Sequence, residues 1–151
     1  MNTMLTVPAC MVLQLRLGLH EEIGNVAEVI SRVVETPGRE EHPEWYRPSL
    51  EHLNAAVKLL NVLGWKTAGQ VTKARVNLHE HGEILLTALH GHLLVEDDAL
   101  DEAAAVDAER ARRGKPPKRE GTARRVLALR DYIAHVEARM DTLPRAEHGG
   151  R

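Results

Sequence analysis

Apolar residues recur at helical spacing in four stretches of this chain, and no stretch alternates long enough to make a strand. From about residue 8 to 35, Val12, Leu19, Ile23, Val26, Ile30 and Val33 form one stripe, widened by Leu13, Ala27 and Val34. Pro8 suits a first helical turn, where its missing N–H costs nothing, and Thr6 is in position to cap it. Leu13, Leu15, Leu17 and Leu19 also alternate with Gln14, Arg16, Gly18 and His20 in strand period. The helical stripe continues for three more turns and outweighs that alternation. The extra leucines leave the first half of this helix apolar on more than one side, which marks it as central in the fold or as part of a dimer contact.

Thr36-Pro37-Gly38 ends the first helix. A second stripe over about 44–64 comprises Tyr46, Leu50, Leu53, Val57 and Leu60, with Pro48 in its first turn and Gly64 as C-cap before Trp65. Residues 66–76 read as a connector in which Val71 and Val76 are isolated. Asn77 followed by Glu80 makes a capping box for a helix over 78–113, carried by Leu78, Leu85, Leu89 and Leu93 and fading through Leu100, Ala103 and Ala104. Residues 114–121 form a flexible linker. Val126, Leu129, Ile133, Val136 and Met140 define a fourth helix over 122–141, before a frayed tail at 143–151.

Four amphipathic helices bury their stripes only against one another. The expected fold is therefore a single all-α domain over 1–151, a mostly antiparallel four-helix bundle with a long third helix. At 1.5 Å per residue that helix reaches roughly 54 Å, against about 30 Å for the second. No Gly or Pro interrupts it after Gly91, so it is expected to overhang the bundle and lie on the fourth helix.

Composition removes several function classes. Aromatics make up 3% and Phe is absent, so the core is aliphatic and lacks the faces on which bases, sugars or flavins stack. A net charge of −2 supplies no global drive toward nucleic acid or anionic membrane. Cys10 is the only cysteine, which forbids an intramolecular disulfide and suits a small buried hydrophobe. No apolar run is long enough to span a membrane. Val7-Pro8-Ala9-Cys10 faintly resembles a lipoprotein cleavage site, but no basic residue precedes Arg16, so a cytoplasmic location is expected.

Charge is segregated in the second half. Nine acids and no Lys or Arg lie between Val76 and Glu109, and nine bases with one acid lie between Arg110 and Arg130. The basic segment is expected to fold back along the acidic one rather than track phosphates, because the flanking acids repel nucleic acid. Arg124 and Arg125 start the fourth helix, where the macrodipole disfavours cations and nearby acids are needed.

Nine histidines form a second signal. His92 and Glu96 are an i, i+4 pair. Counting helical rises brings His52 and His92 to one level of a bundle and His20 and His81 to another, where Glu21 and Glu22 could join. These residues (His52, His92, Glu96, His20 and His81) are the candidate metal ligands, yet neither the Glu-x-x-His pair of di-iron bundles nor the His-Glu-x-x-His zincin motif is present. Amphipathic side chains at stripe edges are the plainer reading, and no cofactor is expected.

Arg130-Asp-Tyr-Ile-Ala-His135 resembles the Arg-x4–6-His motif of the HEPN superfamily, all-helical domains that often act as RNases. The resemblance implies His135 as general base and Arg130 as stabiliser of charge on a scissile phosphate, with Tyr132 or Glu137 assisting. It covers six residues, and Arg47…His52 and Arg75…His81 satisfy the same spacing. On the residues alone, Leu129, Ile133 and Val136 carry the core while Arg130 and His135 flank it.

The leading expectation is a non-enzymatic helical protein that docks a protein partner or itself. Leu13, Leu15 and Leu17 would supply the apolar anchor, and Arg124 and Arg125 the polar rim.

Overall fold

The structure, a computed structural model, describes residues 3–66 and 69–143. Its elements are β1 (Met4–Val7), α1 (Ala9–Val34), two single 3-10 turns (Arg39–Glu41 and Pro43–Trp45), α2 (Arg47–Leu63), β2 (Ala74–Asn77), α3 (Leu78–Arg112) and α4 (Arg119–Thr142). The all-helical class expected from the stripes holds. Among the described residues no helix is long and apolar enough to cross a membrane. The tail expected to fray lies outside the described residues, apart from Leu143.

The helices are arranged as two antiparallel hairpins, α1–α2 and α3–α4, joined mainly where α1 packs on α3. Leu15 and Leu19 of α1, Leu59 and Leu60 of α2, and Leu85 and Leu89 of α3 are fully buried at this junction. α3 runs unbroken for 35 residues, roughly 52 Å at helical rise, and its second half lies against α4 as the overhang required. On α4 the inward face is Val126, Leu129, Ile133 and Val136, the expected stripe.

Besides α2, which starts at Arg47 rather than near residue 44 because the separate 3-10 turn Pro43–Trp45 precedes it, three boundaries depart from the sequence reading. The connector before Asn77 contains a strand: β2 pairs antiparallel with β1, with Leu5 opposite Val76 and Val7 opposite Ala74. Leu5, Val7 and Val76 are buried, so the four-residue ladder is a clasp that ties the starts of α1 and α3 together. Its alternation is too short to see without its partner, which lies some seventy residues away. Thr6 belongs to that strand, opposite Arg75, and does not cap α1; Pro8 occupies the N-cap instead. Cys10, expected inside, is exposed.

The third departure is the start of α4, at Arg119 rather than Thr122, inside the expected linker. No local side chain caps it. The carboxylate of Asp107 on α3 accepts the backbone N–H of Lys118 (2.6 Å) and of Arg119 (2.9 Å), satisfying amides that a helix start leaves unpaired. The Lys118 amide, with that of Arg119, holds the Asp107 carboxyl below the ordinary aspartate range against the upward push of burial. Asn77, in contrast, caps α3 as read, accepting from the His79 N–H at 3.0 Å.

Close approach of α1 and α3 requires a glycine. A Cβ at Gly18 would stand 2.5 Å from the Ala88 carbonyl oxygen and 3.2 Å from the His92 Cβ, whereas a Cβ at Gly24 meets nothing within 4 Å. Helix propensity alone favours Ala over Gly by about 1 kcal/mol at either site. Gly24→Ala should therefore stabilise the protein by roughly 0.5–1 kcal/mol. Gly18→Ala should destabilise it by about 1–3 kcal/mol through overpacking against backbone. Denaturant titration of both variants checks the opposite signs.

A carboxyl held low in the folded state stabilises above its unfolded pKa, near 4, and loses that contribution as pH falls through the folded value. The Lys118 and Arg119 amide resonances should accordingly hold constant from pH 7 to about 4 and move toward unstructured positions on further acidification. In Asp107→Ala they should be displaced already at neutral pH.

Candidate functional site

Gln14, Gly18 and Glu21 recur at i, i+4, i+7 and so share one face of α1, the face laid on α3. Because Gly18 lets the two backbones meet, His92 of α3 is trapped beneath α1 and only 3% exposed. Both its ring nitrogens are engaged. Nδ1 donates to Glu21 Oε1 at 3.0 Å, and Nε2 meets the Gln14 side-chain amide at 2.6 Å. With Nδ1 protonated, a neutral ring leaves Nε2 to accept an amide N–H, and the amide's nitrogen and oxygen are interchangeable by rotation. Glu96 lies 3.6 Å from Nε2 and passes the network on to Arg125, whose Nε is 3.3 Å from Glu96 Oε2. One residue along α1, Glu22 Oε1 accepts from His52 Nε2 of α2 at 2.7 Å. The result is a histidine–glutamate seam linking α1 to α2, α3 and, through Arg125, α4.

The candidate metal ligands do not form one centre. His52 and His92 do come to neighbouring positions, as counted rises required, but Glu22 and Glu21 separate them. His20 is elsewhere, with Nε2 2.8 Å from the Trp65 carbonyl oxygen. His81 is buried with Glu80 Oε2 3.7 Å away. Glu21 and Glu22 serve the His52–His92 level, not the His20–His81 level. Among the described residues no three His, Cys, Asp or Glu groups are placed to hold a metal ion. Sequence reasoning missed Gln14 and Gly18; the signal available was a glycine inside a helix, flanked by polar residues on the same face.

Arg16 is a second anchor that the sequence did not single out. Its guanidinium donates to the Leu63 carbonyl from Nε (3.0 Å) and Nη2, and to the Lys66 carbonyl from Nη1 (3.0 Å). A cation thus sits on the carbonyl end of α2, where the macrodipole favours it. Gly64, at φ 90°, is the turn that presents those carbonyls.

The segregated charges pair as expected. Arg130 Nη2 contacts Asp97 Oδ1 at 2.9 Å, Arg125 contacts Glu96, and Arg112 and Arg113 both contact Glu109. Arg124 lies 3.8 Å from Glu120. These pairs are mostly solvent-exposed and contribute register rather than much stability.

The nuclease-type residues are not brought together. Arg130 is joined to Asp97, and His135 leaves the same helix about 140° away. Tyr132, between them, has a hydroxyl that makes no hydrogen bond among the described residues. Burial first, and the neighbouring Cys10 second, push its pKa up to about 12, so it stays protonated near neutrality.

Of the expected docking leucines, Leu15 is fully buried in the monomer and cannot anchor a partner. It lies on the core side of α1, about 200° from Leu13. Leu13 and Leu17 are half-buried and stand outside the core cluster.

The chain matches no family model, no curated protein and no solved structure.

Gln14→Leu keeps the volume at the seam but removes the 2.6 Å partner of His92 Nε2, leaving Glu96, at 3.6 Å, outside hydrogen-bond reach. Thermal or denaturant unfolding should register a loss of about 1–3 kcal/mol, the penalty for a buried polar atom without a partner. Unchanged stability would mean that the seam adds nothing to the crossing.

Proposed function

We propose that this chain is a non-enzymatic association module that pairs with a second copy of itself through the distal part of the α1–α2 hairpin. The observation behind it is an arm whose apolar stripe outruns the core. α3 crosses α1 near residues 88–92, and α1 runs on past that crossing to Val34 alongside its hairpin partner α2. Val29 (45%), Val34 (52%), Trp45 (42%) and Leu50 (38%) are exposed on this arm, with Val26, Ile30, Val33, Tyr46 and Leu53 only half-buried.

A second copy suits this arm better than a partner of one charge sign. Around the apolar residues lie Glu28, Arg32, Glu35, Arg39, Glu40 and Arg47, a mixed set that a two-fold axis can match to itself. Covering four half-exposed side chains in each of two copies contributes roughly 8 kcal/mol at about 1 kcal/mol each. Association costs about 4–15 kcal/mol, so a weak, concentration-dependent dimer is the expected outcome.

At the low end of that cost about 4 kcal/mol remains, a dissociation constant of roughly 1 mM, so sedimentation equilibrium carried up to about 1 mM should show mass rising toward the dimer. Val29→Glu and Leu50→Glu, each alone, should return the monomer without loss of helicity. A parent protein that stays monomeric at the highest concentration overturns the reading, and so does a variant that associates as the parent does.

A further inference from the structure

The tip of the α3–α4 hairpin carries more positive charge than its own acids can match. Arg110, Arg112 and Arg113 stand at the end of α3, Lys115 and Lys118 lie in the turn, and Arg119 and Arg124 begin α4. Residues 107–124 hold seven cations and three acids, an excess of four against a chain total of −2, which leaves −6 on the rest. Every residue from 111 to 120 is exposed. Arg112 and Arg113 share the one Glu109, and Arg124 has Glu120 at 3.8 Å. Lys115 and Lys118 have no ion pair among the described residues.

The turn that presents these cations is held by its own hydrogen bonds. Arg110 Nε donates to the Pro116 carbonyl at 2.8 Å, and the Lys115 amide donates back to the Arg110 carbonyl at 2.9 Å. Asp107 takes the Lys118 and Arg119 amides from the other side. Cations carried on an ordered turn lose less freedom when a partner binds. The turn also encloses a cavity of about 300 Å³, lined by the methyl groups of Ala104, Ala108 and Ala111 and by Lys115 and Arg119. Its one carboxylate is that of Asp107, already engaged by backbone. An apolar recess bordered by two cations suits a phosphate group on an apolar stem.

Two observations choose among anionic partners. Asp98, Asp101 and Glu102 of α3 have no ion pair among the described residues, and Glu102 lies eight residues behind Arg110. That is roughly 12 Å at helical rise, farther than the ~8 Å over which charges act at physiological salt. A polyanion laid along the hairpin would run against these acids, whereas a flat surface met end-on touches the cations alone. The segment from Lys66 to Asp131 also contains no Phe, Trp or Tyr, so it offers no ring on which bases stack. Lipid headgroups need no such ring, and clusters of about four to eight Lys and Arg are what anionic leaflets attract. We propose that the tip of the α3–α4 hairpin is a docking surface for an anionic lipid bilayer, met end-on, with Lys115 and Arg119 holding a headgroup phosphate at the cavity they line.

Flotation of the full chain with phosphatidylcholine vesicles containing about 30% phosphatidylserine, at roughly 0.1 M salt, tests this. Expected is binding to these vesicles and none to phosphatidylcholine alone. Lys115→Gln/Lys118→Gln should weaken it roughly tenfold or more, since each cation near such a surface contributes about fivefold. Lys58→Gln/Lys73→Gln removes equal charge from α2 and from the connector before β2, and should weaken it less than about twofold. Circular dichroism should show both double variants as helical as the parent. Absence of binding to the anionic vesicles, equal binding to neutral ones, or equal weakening in the two double variants overturns the proposal. So does release of the bound protein by an RNA oligonucleotide supplied at a phosphate concentration equal to that of the phosphatidylserine, which assigns the tip to nucleic acid instead.

Discussion

The crossing of α1 over α3 at Gly18 is the contact on which the rest of the structure depends. Missing one methyl group there lets the Ala88 carbonyl and the His92 side chain fit beneath α1. Two consequences follow from that closeness. The aliphatic residues on either side, Leu15 and Leu19 against Leu85 and Leu89, are sealed from water. The polar residues at the same crossing are forced to satisfy one another, because a buried imidazole or carboxylate without a partner would cost more than the packing returns. Gln14, Glu21, His92 and Glu96 therefore read as one device: a polar seam that fixes the register of two helices whose leucines alone would tolerate sliding.

Away from the crossing the hairpins are held from a distance. The β1–β2 ladder joins the beginnings of α1 and α3, and Arg139 of α4 donates to the Met4 carbonyl of the same clasp at 3.0 Å. Asp107 caps α4 from α3, and Arg16 caps the end of α2 from α1. In each case one element satisfies the unpaired backbone of another, which orders helix ends without local capping residues. Both hairpins extend beyond the core, and they differ in how their ends are finished. The α3–α4 end pairs its opposite charges but still leaves Leu94, Val95, Val106 and Leu127 exposed, while the α1–α2 arm leaves Val29, Val34, Trp45 and Leu50 exposed.

Much of this was legible along the chain. The helical periods located all four helices, Asn77 and Gly64 marked their boundaries, and the uninterrupted run after Gly91 foretold an unbroken α3. The block of acids followed by a block of bases foretold α3–α4 pairing, down to Arg125 and its acidic partner. Histidine spacing placed His52 and His92 at a common level but misjudged what they do there, since ring nitrogens that face Glu22, Glu21 and Gln14 are engaged in hydrogen bonds. The excess leucine on the first helix divides by face: Leu15 belongs to the core, Leu13 and Leu17 are half-buried, and more exposed apolar residues lie farther along the same helix.

Local chemistry along the chain, meaning periodicity, capping and charge order, determines which segments are helical and which side of each is apolar, because these effects act over a few residues. What a segment meets is set by residues far away in sequence, and only the tertiary structure decides it. β2 exists because β1 lies beside it, α4 starts early because Asp107 reaches it, and His92 is buried because Gly18 is opposite. The apolar stripe of α1 is continuous, yet its first half is core and its second half surface, since α3 crosses it midway and then departs.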